Sequence, residues 1–279
     1  MTAPLITTTQ LNQVLNDPNV LVLNARMNKV VGKDPILYDT PLFIPGSVSV
    51  ALETELCDLD AEQTHAMPTE AQFTEWCQRL GITEQTHIVV YDDQGIYSAP
   101  RLWWTCKRMG LERVSVLDGG LPQWLDDELP TSSNARHIEA SSNTVAPNLN
   151  PAQQRVCDAD HVLANIDNAQ VAIVDARANG RFLGQSPEPR AGVRSGHIPS
   201  AVNLPFLEVL SGHKMKSKPE LKALFATLLQ GKQTMIASCG SGITACILLL
   251  AAEVTGVPEL ILYDGSWAEW GSNPALPIE

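Results

Sequence analysis

Short runs of apolar residues alternate with amphipathic stretches along the whole chain. The clearest apolar runs are residues 20–23, 87–90, 171–174 and 234–237. Between them, residues 71–80 and 219–229 carry apolar side chains at the three- and four-residue spacing of a helix with a buried face. Parallel strands need helical crossovers, which cover both faces of their sheet. The pattern therefore predicts an α/β fold with central, mostly parallel sheets flanked by helices.

The second half of the chain repeats the first. A spacing of 151 residues separates Leu5 from Val156 and also Val20 from Val171, at the start of similar strand patterns. Residues 44–48 (Ile-Pro-Gly-Ser-Val) are matched by residues 198–202 (Ile-Pro-Ser-Ala-Val), at a spacing of 154 residues. We predict a first domain at residues 1–128 and a second at residues 151–279. Residues 129–150, rich in Ser, Asn, Ala and Pro, are expected to form an irregular linker.

One turn in the second half carries the strongest sign of chemistry. An apolar strand pattern ends at Ser238, Cys239 follows in a glycine-containing turn, and a helix pattern begins directly afterwards. The backbone N–H groups of such a turn and the positive end of the following helix both favour a thiolate over a thiol. We interpret Cys239 as an activated nucleophile. The alternative is a buried core cysteine near a strand end, which is a common place for an unpaired cysteine.

The first half has no sulfur at the corresponding position. When Asp118 is paired with Asp264, a gapless spacing of 146 residues places Asp93 on Cys239 and Ala99 on Ala245. A carboxylate in place of the thiol cannot perform the same chemistry. We therefore expect a catalytically degenerate first domain and a single active site in the second.

Composition and charge narrow the possible partners. The 279 residues carry a net charge of −12 and a pI near 4.9, which argues against nucleic acid or an anionic membrane as the main partner. No targeting pattern or membrane-spanning apolar run is present in the sequence, so we expect a cytoplasmic protein. The six cysteines show no C-x-x-C pair and no zinc-like spacing, so neither a disulfide framework nor a metal site is predicted.

Two other uses of the Cys239 turn are disfavoured by its sequence. Phosphatases of the protein-tyrosine type need an arginine at the sixth position after the cysteine to hold the phosphoryl oxygens, and here that position is Ala245. Gly240-Ser241-Gly242 lacks the third glycine and the downstream acid of a dinucleotide fingerprint.

The tandem halves, the Cys239 turn and two flanking motifs together resemble the two-domain rhodanese-type sulfurtransferases. The motifs are residues 194–201 (Arg-Ser-Gly-His-Ile-Pro-Ser-Ala) and residues 263–267 (Tyr-Asp-Gly-Ser-Trp). The turn at residues 239–245 is most similar to the Cys-Gly-Ser-Gly-Val-Thr-Ala turn of 3-mercaptopyruvate sulfurtransferases, with Ile243 for valine. Thiosulfate sulfurtransferases carry a Cys-Arg-Lys-Gly-Val-Thr-like turn, whose cationic side chains suit a dianionic donor. The resemblance thus implies 3-mercaptopyruvate as the sulfur donor.

The same resemblance implies which residues bind the donor. Four arginines lie within residues 175–197, and a planar guanidinium suits a carboxylate because it can donate two parallel hydrogen bonds. The resembled enzymes use the arginines of Gly-Arg-Phe and Glu-Pro-Arg, which are Arg181 and Arg190 here. We expect Arg177 and Arg194 to be structural. The alternative for Arg181 and Arg190 is a solvated surface position.

Further site residues follow from the resemblance alone. The resembled enzymes have a proposed triad of the turn serine, a histidine and an aspartate, which implies Ser241, His65 and Asp60 here. They also have a tyrosine that faces the cleft, which implies Tyr97. Local backbone capping is an alternative for Ser241, and core packing is one for Tyr97. The other residues expected to surround the sulfur belong to the turn: Gly240, Gly242, Ile243 and Thr244.

The implied reaction leaves Cys239 as a persulfide, releases pyruvate, and passes the outer sulfur to thioredoxin, a small thiol or cyanide. No metal or organic cofactor is expected, and we expect a monomer. Two alternatives remain open: a thiosulfate:cyanide sulfurtransferase, and a non-catalytic sulfur-relay or binding module.

Overall fold

A computed structural model describes residues 2–138 and 146–279, which divide into two compact units. The first unit contains the residues up to Asp58 together with Met67–Ala152 and Gly212–Met215. The second contains Leu59–Ala66, Gln153–Ser211 and Lys216–Glu279. The sequence predicted a division near residue 150, but it did not predict that residues 59–66 are grouped with the second unit.

The first unit is built on a five-stranded parallel sheet in the order β1-β5-β4-β2-β3. Its strands are β1 (Leu5–Ile6), β2 (Val20–Arg26), β3 (Val48–Ala51), β4 (His87–Tyr91) and β5 (Val114–Leu117). Its helices are α1 (Thr8–Val14), α2 (Glu70–Leu80), α3 (Ala99–Arg108) and α4 (Gly120–Asp126). In the predicted linker, the Ser132 and Arg136 N–H groups bond to Phe43 and Ser47 carbonyls; residues 139–145 lie outside the described residues.

The second unit repeats this arrangement in the order β6-β12-β11-β7-β8, again with parallel strands. The strands of its sheet are β6 (Val156–Cys157), β7 (Val171–Asp175), β8 (Val202–Asn203), β11 (Thr234–Ser238) and β12 (Glu259–Tyr263). Two short strands, β9 (Leu210–Ser211) and β10 (Lys214–Met215), lie outside both five-stranded sheets. The helices are α5 (Ala159–Ala164), α6 (Asn179–Phe182), α7 (Lys218–Leu229), α8 (Ala245–Thr255) and α9 (Ser266–Trp270).

Helix α8 lies in the core of the second unit. Its residues 245–252 are all fully buried, which explains why the sequence there is apolar on every face instead of amphipathic. The central strand β11 runs between β7 and β12 and ends directly before Cys239. Ligand sites of parallel α/β sheets form beyond the carboxyl ends of the strands, and Cys239 lies at such an end.

The strand register corrects the residue expected at the position of Cys239 in the first unit. Asn24 in β2 pairs with Tyr91, and Asp175, which lies 151 residues after Asn24, pairs with Ser238. The residue that follows Tyr91, namely Asp92, therefore matches Cys239, and the expectation of Asp93 was wrong by one residue. The gapless comparison failed because the first unit has one more residue between this strand and the following helix.

The carboxylate of Asp92 fills the turn that leads into α3. It is completely buried and accepts backbone N–H bonds from Gln94 at 2.9 Å, Tyr97 at 2.8 Å, Ser98 at 2.9 Å and Ala99 at 2.8 Å. Burial raises the pKa of Asp92, while these N–H groups act in the opposite direction. A strand, a turn and a helix N-terminus thus form a cradle for an anion, and here the protein supplies the anion itself.

We predict that Asp92→Asn destabilises the first unit by about 3 kcal/mol or more, because an amide cannot accept all four bonds and leaves buried N–H groups unpaired. Hydrogen–deuterium exchange of α3 amides measures this local free energy. Asp93→Asn is the matched control, since the carboxylate of half-buried Asp93 accepts a bond from the Gln94 side chain at 3.1 Å and none of the four backbone bonds that Asp92 accepts. A loss at Asp92→Asn no larger than at Asp93→Asn would contradict the prediction.

Candidate active site

Cys239 is held in place by backbone contacts to α9. Its carbonyl accepts a bond from the Trp267 N–H at 3.0 Å, and the Gly240 carbonyl accepts one from the Ala268 N–H at 2.9 Å. The Cys239 N–H donates to the Ser266 hydroxyl at 3.1 Å, and that hydroxyl donates to the Tyr263 carbonyl at 2.8 Å. These contacts fix the backbone on which the sulfur is carried.

The remainder of the turn leads directly into α8. Gly242 has a φ of +76°, a conformation that glycine adopts without a steric penalty. The Cys246 thiol donates to the Gly242 carbonyl at 3.3 Å, so it is bound to the turn and faces the helix interior. Ile243 is buried, and Thr244 precedes the first residue of α8. The turn therefore places Cys239, only 1% exposed, before the positive end of an 11-residue helix.

A chain of buried charges lies beside this turn. Arg177 donates to Asp175 at 2.8 Å and to Glu188 at 2.9 Å, and its guanidinium packs over the Trp267 ring at 4.4 Å. Glu188 also accepts two bonds from Arg181, at 2.5 Å from Nη2 and 3.2 Å from Nε. The Asp175, Arg177 and Glu188 side chains are at most 4% exposed, and Arg181 is 14% exposed. Alternating charges compensate one another, which a buried charge requires.

The guanidinium of Arg181 lies over Gly240. A Cβ atom added to Gly240 would lie 3.2 Å from Nη2 of Arg181, a tight contact. Because Glu188 holds Nη2 and Nε, the guanidinium cannot retreat without breaking that ion pair. The structure therefore brings Arg181 to the nucleophile turn, and it gives a reason for glycine at position 240.

His65 and Ser241 are also brought together. The Nδ1 atom of His65 lies 3.0 Å from the Ser241 hydroxyl, and both side chains are largely buried. His65 has a φ of +61°, which is uncommon for a residue other than glycine and indicates a backbone held by its surroundings. Asp60 lies five residues earlier on the same segment, at an exposed position.

Arg190 belongs to the second unit and Tyr97 to the first. Arg190 lines a cavity of about 460 Å³, and neither Cys239 nor Arg181 is among the described residues that line it. Tyr97 belongs to the first unit, where it is 3% exposed and its hydroxyl accepts a bond from the Val31 N–H at 2.8 Å. These contacts match the core-packing alternative for Tyr97. The roles of Arg190 and Tyr97 remain predictions.

Two residues of the site were missed by sequence reasoning. Glu188 was quoted only as part of the motif around Arg190, although an isolated acid among four arginines is a signal for a buried ion pair. Ser266 supports the N–H of Cys239 from a φ of +52°, and nothing in the sequence marks that hydroxyl as a partner of the nucleophile. Arg194 bonds to the Gly271 carbonyl at 3.0 Å, which agrees with a structural role.

Across residues 2–138 and 146–279, no group of three or more His, Cys, Asp or Glu side chains is arranged to hold a metal ion. Within the same ranges, no helix combines the length and apolar composition needed to cross a membrane.

Three other cysteines are held in the thiol form by their surroundings. Burial raises the pKa of Cys77 to about 12. Burial, with the charges of Asp158, Asp264 and Glu269, raises that of Cys157 to about 12 as well. Burial raises the pKa of Cys106 further above its usual value. Because the thiolate is the reactive form, these thiols are nearly inert at neutral pH.

We predict that iodoacetamide at pH 8 modifies Cys239 of the native protein before Cys77, Cys106 or Cys157. A thiol of pKa about 12 is only about one part in ten thousand thiolate at that pH. Peptide mass spectrometry identifies the modified sulfur, and Cys239→Ser serves as the control that loses the fast reaction. Modification of Cys77 or Cys157 ahead of Cys239 would contradict this assignment.

The two units have known counterparts. The family model described as "Rhodanese-like domain" matches residues 7–127 and again residues 158–273. The crystal structure of SseA from Escherichia coli, described as having the "Rhodanese" fold, superimposes with a TM-score of 0.78 at 32% identity. The match covers 95% of this chain and 99% of that one. The predicted fold class of two tandem α/β domains is thereby confirmed.

Curated relatives are similar over most of the chain. The 3-mercaptopyruvate sulfurtransferase of Escherichia coli (strain K12) is 36% identical over 268 residues, or 95% of this chain and 94% of the relative. The thiosulfate sulfurtransferase of Mus musculus is 38% identical over 232 residues, or 81% of this chain and 76% of the relative. The 3-mercaptopyruvate sulfurtransferase of Mus musculus is 39% identical over 231 residues, with the same two coverages. The chain therefore belongs to the rhodanese family, with two rhodanese-like domains in tandem.

Proposed function

We propose that this chain is a 3-mercaptopyruvate sulfurtransferase with Cys239 as its nucleophile. The observation that carries the choice of donor is the guanidinium of Arg181, which occupies the space beside the Cα of Gly240. The turn itself contributes no charged side chain between Cys239 and Ala245. One arginine beside the turn suits a donor with a single carboxylate, because a guanidinium can donate two parallel hydrogen bonds to it.

Relatives with either activity are about equally similar in sequence, so identity alone does not choose between donors. The turn does favour one of them. A side chain at position 240, such as the arginine of the thiosulfate-type turn, would displace the Arg181 guanidinium by a few tenths of an ångström and place a second positive charge beside it. The geometry therefore supports mercaptopyruvate over dianionic thiosulfate.

In the first half-reaction the Cys239 thiolate attacks the sulfur of 3-mercaptopyruvate. A sulfur–sulfur bond forms, the carbon–sulfur bond breaks, and its electron pair passes to the carbon as the enolate of pyruvate. The enolate takes up a proton and leaves as pyruvate, so Cys239 remains as a persulfide. Arg181 and Arg190 bind the carboxylate and the keto oxygen, and the N–H groups of the turn stabilise the anionic sulfur.

The proton needed by the enolate has a route in this site. The Ser241 hydroxyl lies 3.0 Å from Nδ1 of His65, so the histidine can exchange a proton through the serine. Asp60 orients His65 in this proposal, as the aspartate of the triad. The turn residues Gly242, Ile243 and Thr244 supply the backbone around the sulfur.

In the second half-reaction an acceptor nucleophile attacks the outer sulfur of the persulfide. Its bond to that sulfur forms while the sulfur–sulfur bond breaks, which returns Cys239 to the thiolate. Thioredoxin, a small thiol or cyanide can serve, and cyanide would leave as thiocyanate. The reaction needs no organic cofactor or metal, and we propose a cytoplasmic monomer.

The donor assignment is tested by supplying 3-mercaptopyruvate and thiosulfate separately to the wild-type protein. We expect pyruvate release, a mass gain of about 32 Da on Cys239 as persulfide, and a higher kcat/KM for mercaptopyruvate than for thiosulfate. Cys239→Ser is the control, and it should release no pyruvate.

Preferential use of thiosulfate would transfer the assignment to thiosulfate:cyanide sulfurtransferase. Turnover of neither donor, with persulfide accepted from another persulfide-bearing protein, would indicate the sulfur-relay module instead.

Gly240→Ala tests the place of Arg181. The added methyl group displaces the guanidinium by a few tenths of an ångström, so we expect kcat/KM for mercaptopyruvate to fall about tenfold, mainly through KM. Stability should change by less than about 1 kcal/mol, as measured by thermal unfolding.

The matched comparison is made in an Arg181→Ala background. There the colliding group is absent, so Gly240→Ala should have almost no further effect. An undiminished effect in that background would show that Gly240 acts on the reaction by some other route.

A further inference from the structure

Glu269 has an unusual environment for a carboxylate. It lies in α9, and its Oε1 atom accepts a bond from the Gln63 side-chain amide at 3.2 Å. Its Oε2 atom is buried against Gly265, and burial and then the Glu269 carboxylate raise the pKa of the Tyr263 hydroxyl. A buried carboxylate has lost hydration, so the bond from Gln63 is one of the contacts that compensate it.

The residues next to Glu269 in α9 contact the Cys239 turn. The two residues before it in α9, Trp267 and Ala268, donate the N–H bonds that hold the carbonyls of Cys239 and Gly240. These residues belong to the same short helix as Glu269. A contact that fixes the Glu269 side chain therefore also helps to fix the backbone that holds the Cys239 turn.

The hydrogen-bond partner of Glu269, Gln63, is close to His65 in the sequence. Gln63 lies two residues before His65, in a segment that has no regular secondary structure. His65 has a φ of +61°, a conformation that is uncommon for residues other than glycine. Its ring nevertheless lies 3.0 Å from the Ser241 hydroxyl. The Gln63–Glu269 hydrogen bond ties this segment to α9, so it helps to determine where the His65 ring lies.

We propose that the Gln63–Glu269 hydrogen bond is a positioning contact that holds His65 on Ser241 while the same helix holds Cys239. Gln63 and Glu269 are positioning residues, since they act on the reaction through His65 and Ser241. This inference rests on the proposed transfer from mercaptopyruvate, in which that pair delivers the proton to the leaving enolate. Loss of the contact lowers kcat, whereas KM depends on the arginines and changes little.

The test exchanges the two partners. Gln63→Glu places two carboxylates against each other, and we expect kcat for pyruvate release to fall about tenfold. Glu269→Gln keeps an acceptor for Gln63 and should lower kcat less than about threefold. The double variant restores one carboxylate and one amide in reversed order, so kcat should return to within about threefold of the wild type.

A second double-mutant cycle tests whether Gln63 acts on the reaction through His65 and Ser241. Gln63→Ala should lower kcat in the wild-type background but have little effect in a Ser241→Ala background, where the histidine has lost its partner. Gln123→Ala is the matched control, because Gln123 donates a similar bond to Asp127 at 2.8 Å in the first unit. It should leave kcat unchanged.

Hydrogen–deuterium exchange over residues 59–66 provides a readout that needs no substrate. Exchange should accelerate in Gln63→Ala and return to the wild-type rate in the exchanged double variant. Faster exchange with unchanged kcat would reduce the contact to a structural one, and an unrescued double variant would overturn the proposal. A wild type that releases no pyruvate would instead refute the proposed function. The exchange measurement needs no substrate, so it would still test the contact in that case.

Discussion

The hydrogen bonds from the α9 backbone to the carbonyls of Cys239 and Gly240 are the constraint on which the site depends. A turn between a strand and a helix has several accessible conformations, and these two bonds, with the Ser266 hydroxyl on the Cys239 N–H, select one of them. The sulfur is thereby held before the N-terminus of α8, where the helix dipole favours an anion. Arg181 lies over Gly240 of this turn and Ser241 belongs to it, so the positions of both relative to Cys239 depend on these bonds.

The first unit shows what this frame does when no sulfur is present. Asp92 occupies the equivalent position, and its buried carboxylate is held by four backbone N–H groups. A duplicated strand–turn–helix frame thus keeps its affinity for an anion, and the two copies differ in where the anion comes from. In the first copy it is a side chain of the protein, which leaves no room for a substrate group. In the second, the cysteine can carry it as a transferable sulfur.

In the second unit, buried charges pair with one another instead of filling a turn as the Asp92 carboxylate does. Arg177 and Glu188 form the middle of a chain of alternating charges that ends at Arg181, and each group is compensated by its neighbour. Such a chain adds little net stability, because removing the charges from water costs about as much as their attraction returns. Its physical effect is to orient Arg181, since Glu188 accepts from Nε and Nη2 and leaves Nη1 and the second N–H of Nη2 to donate to another group.

The sequence by itself determined the α/β class and the duplication and indicated Cys239 as the candidate nucleophile, because apolar periodicity, repeat spacing and a cysteine turn are local patterns. It also indicated Arg181 through a motif. Only the tertiary structure decided that Asp92 and not Asp93 matches Cys239, since one additional turn residue shifts a gapless comparison and strand pairing does not. The partnership of Glu188 with two arginines, of Gln63 with Glu269, and of His65 with Ser241 was decided there too. The Gln63–Glu269 and His65–Ser241 contacts join residues that are close in space but lie on different segments, and no local pattern of the chain encodes which segments meet.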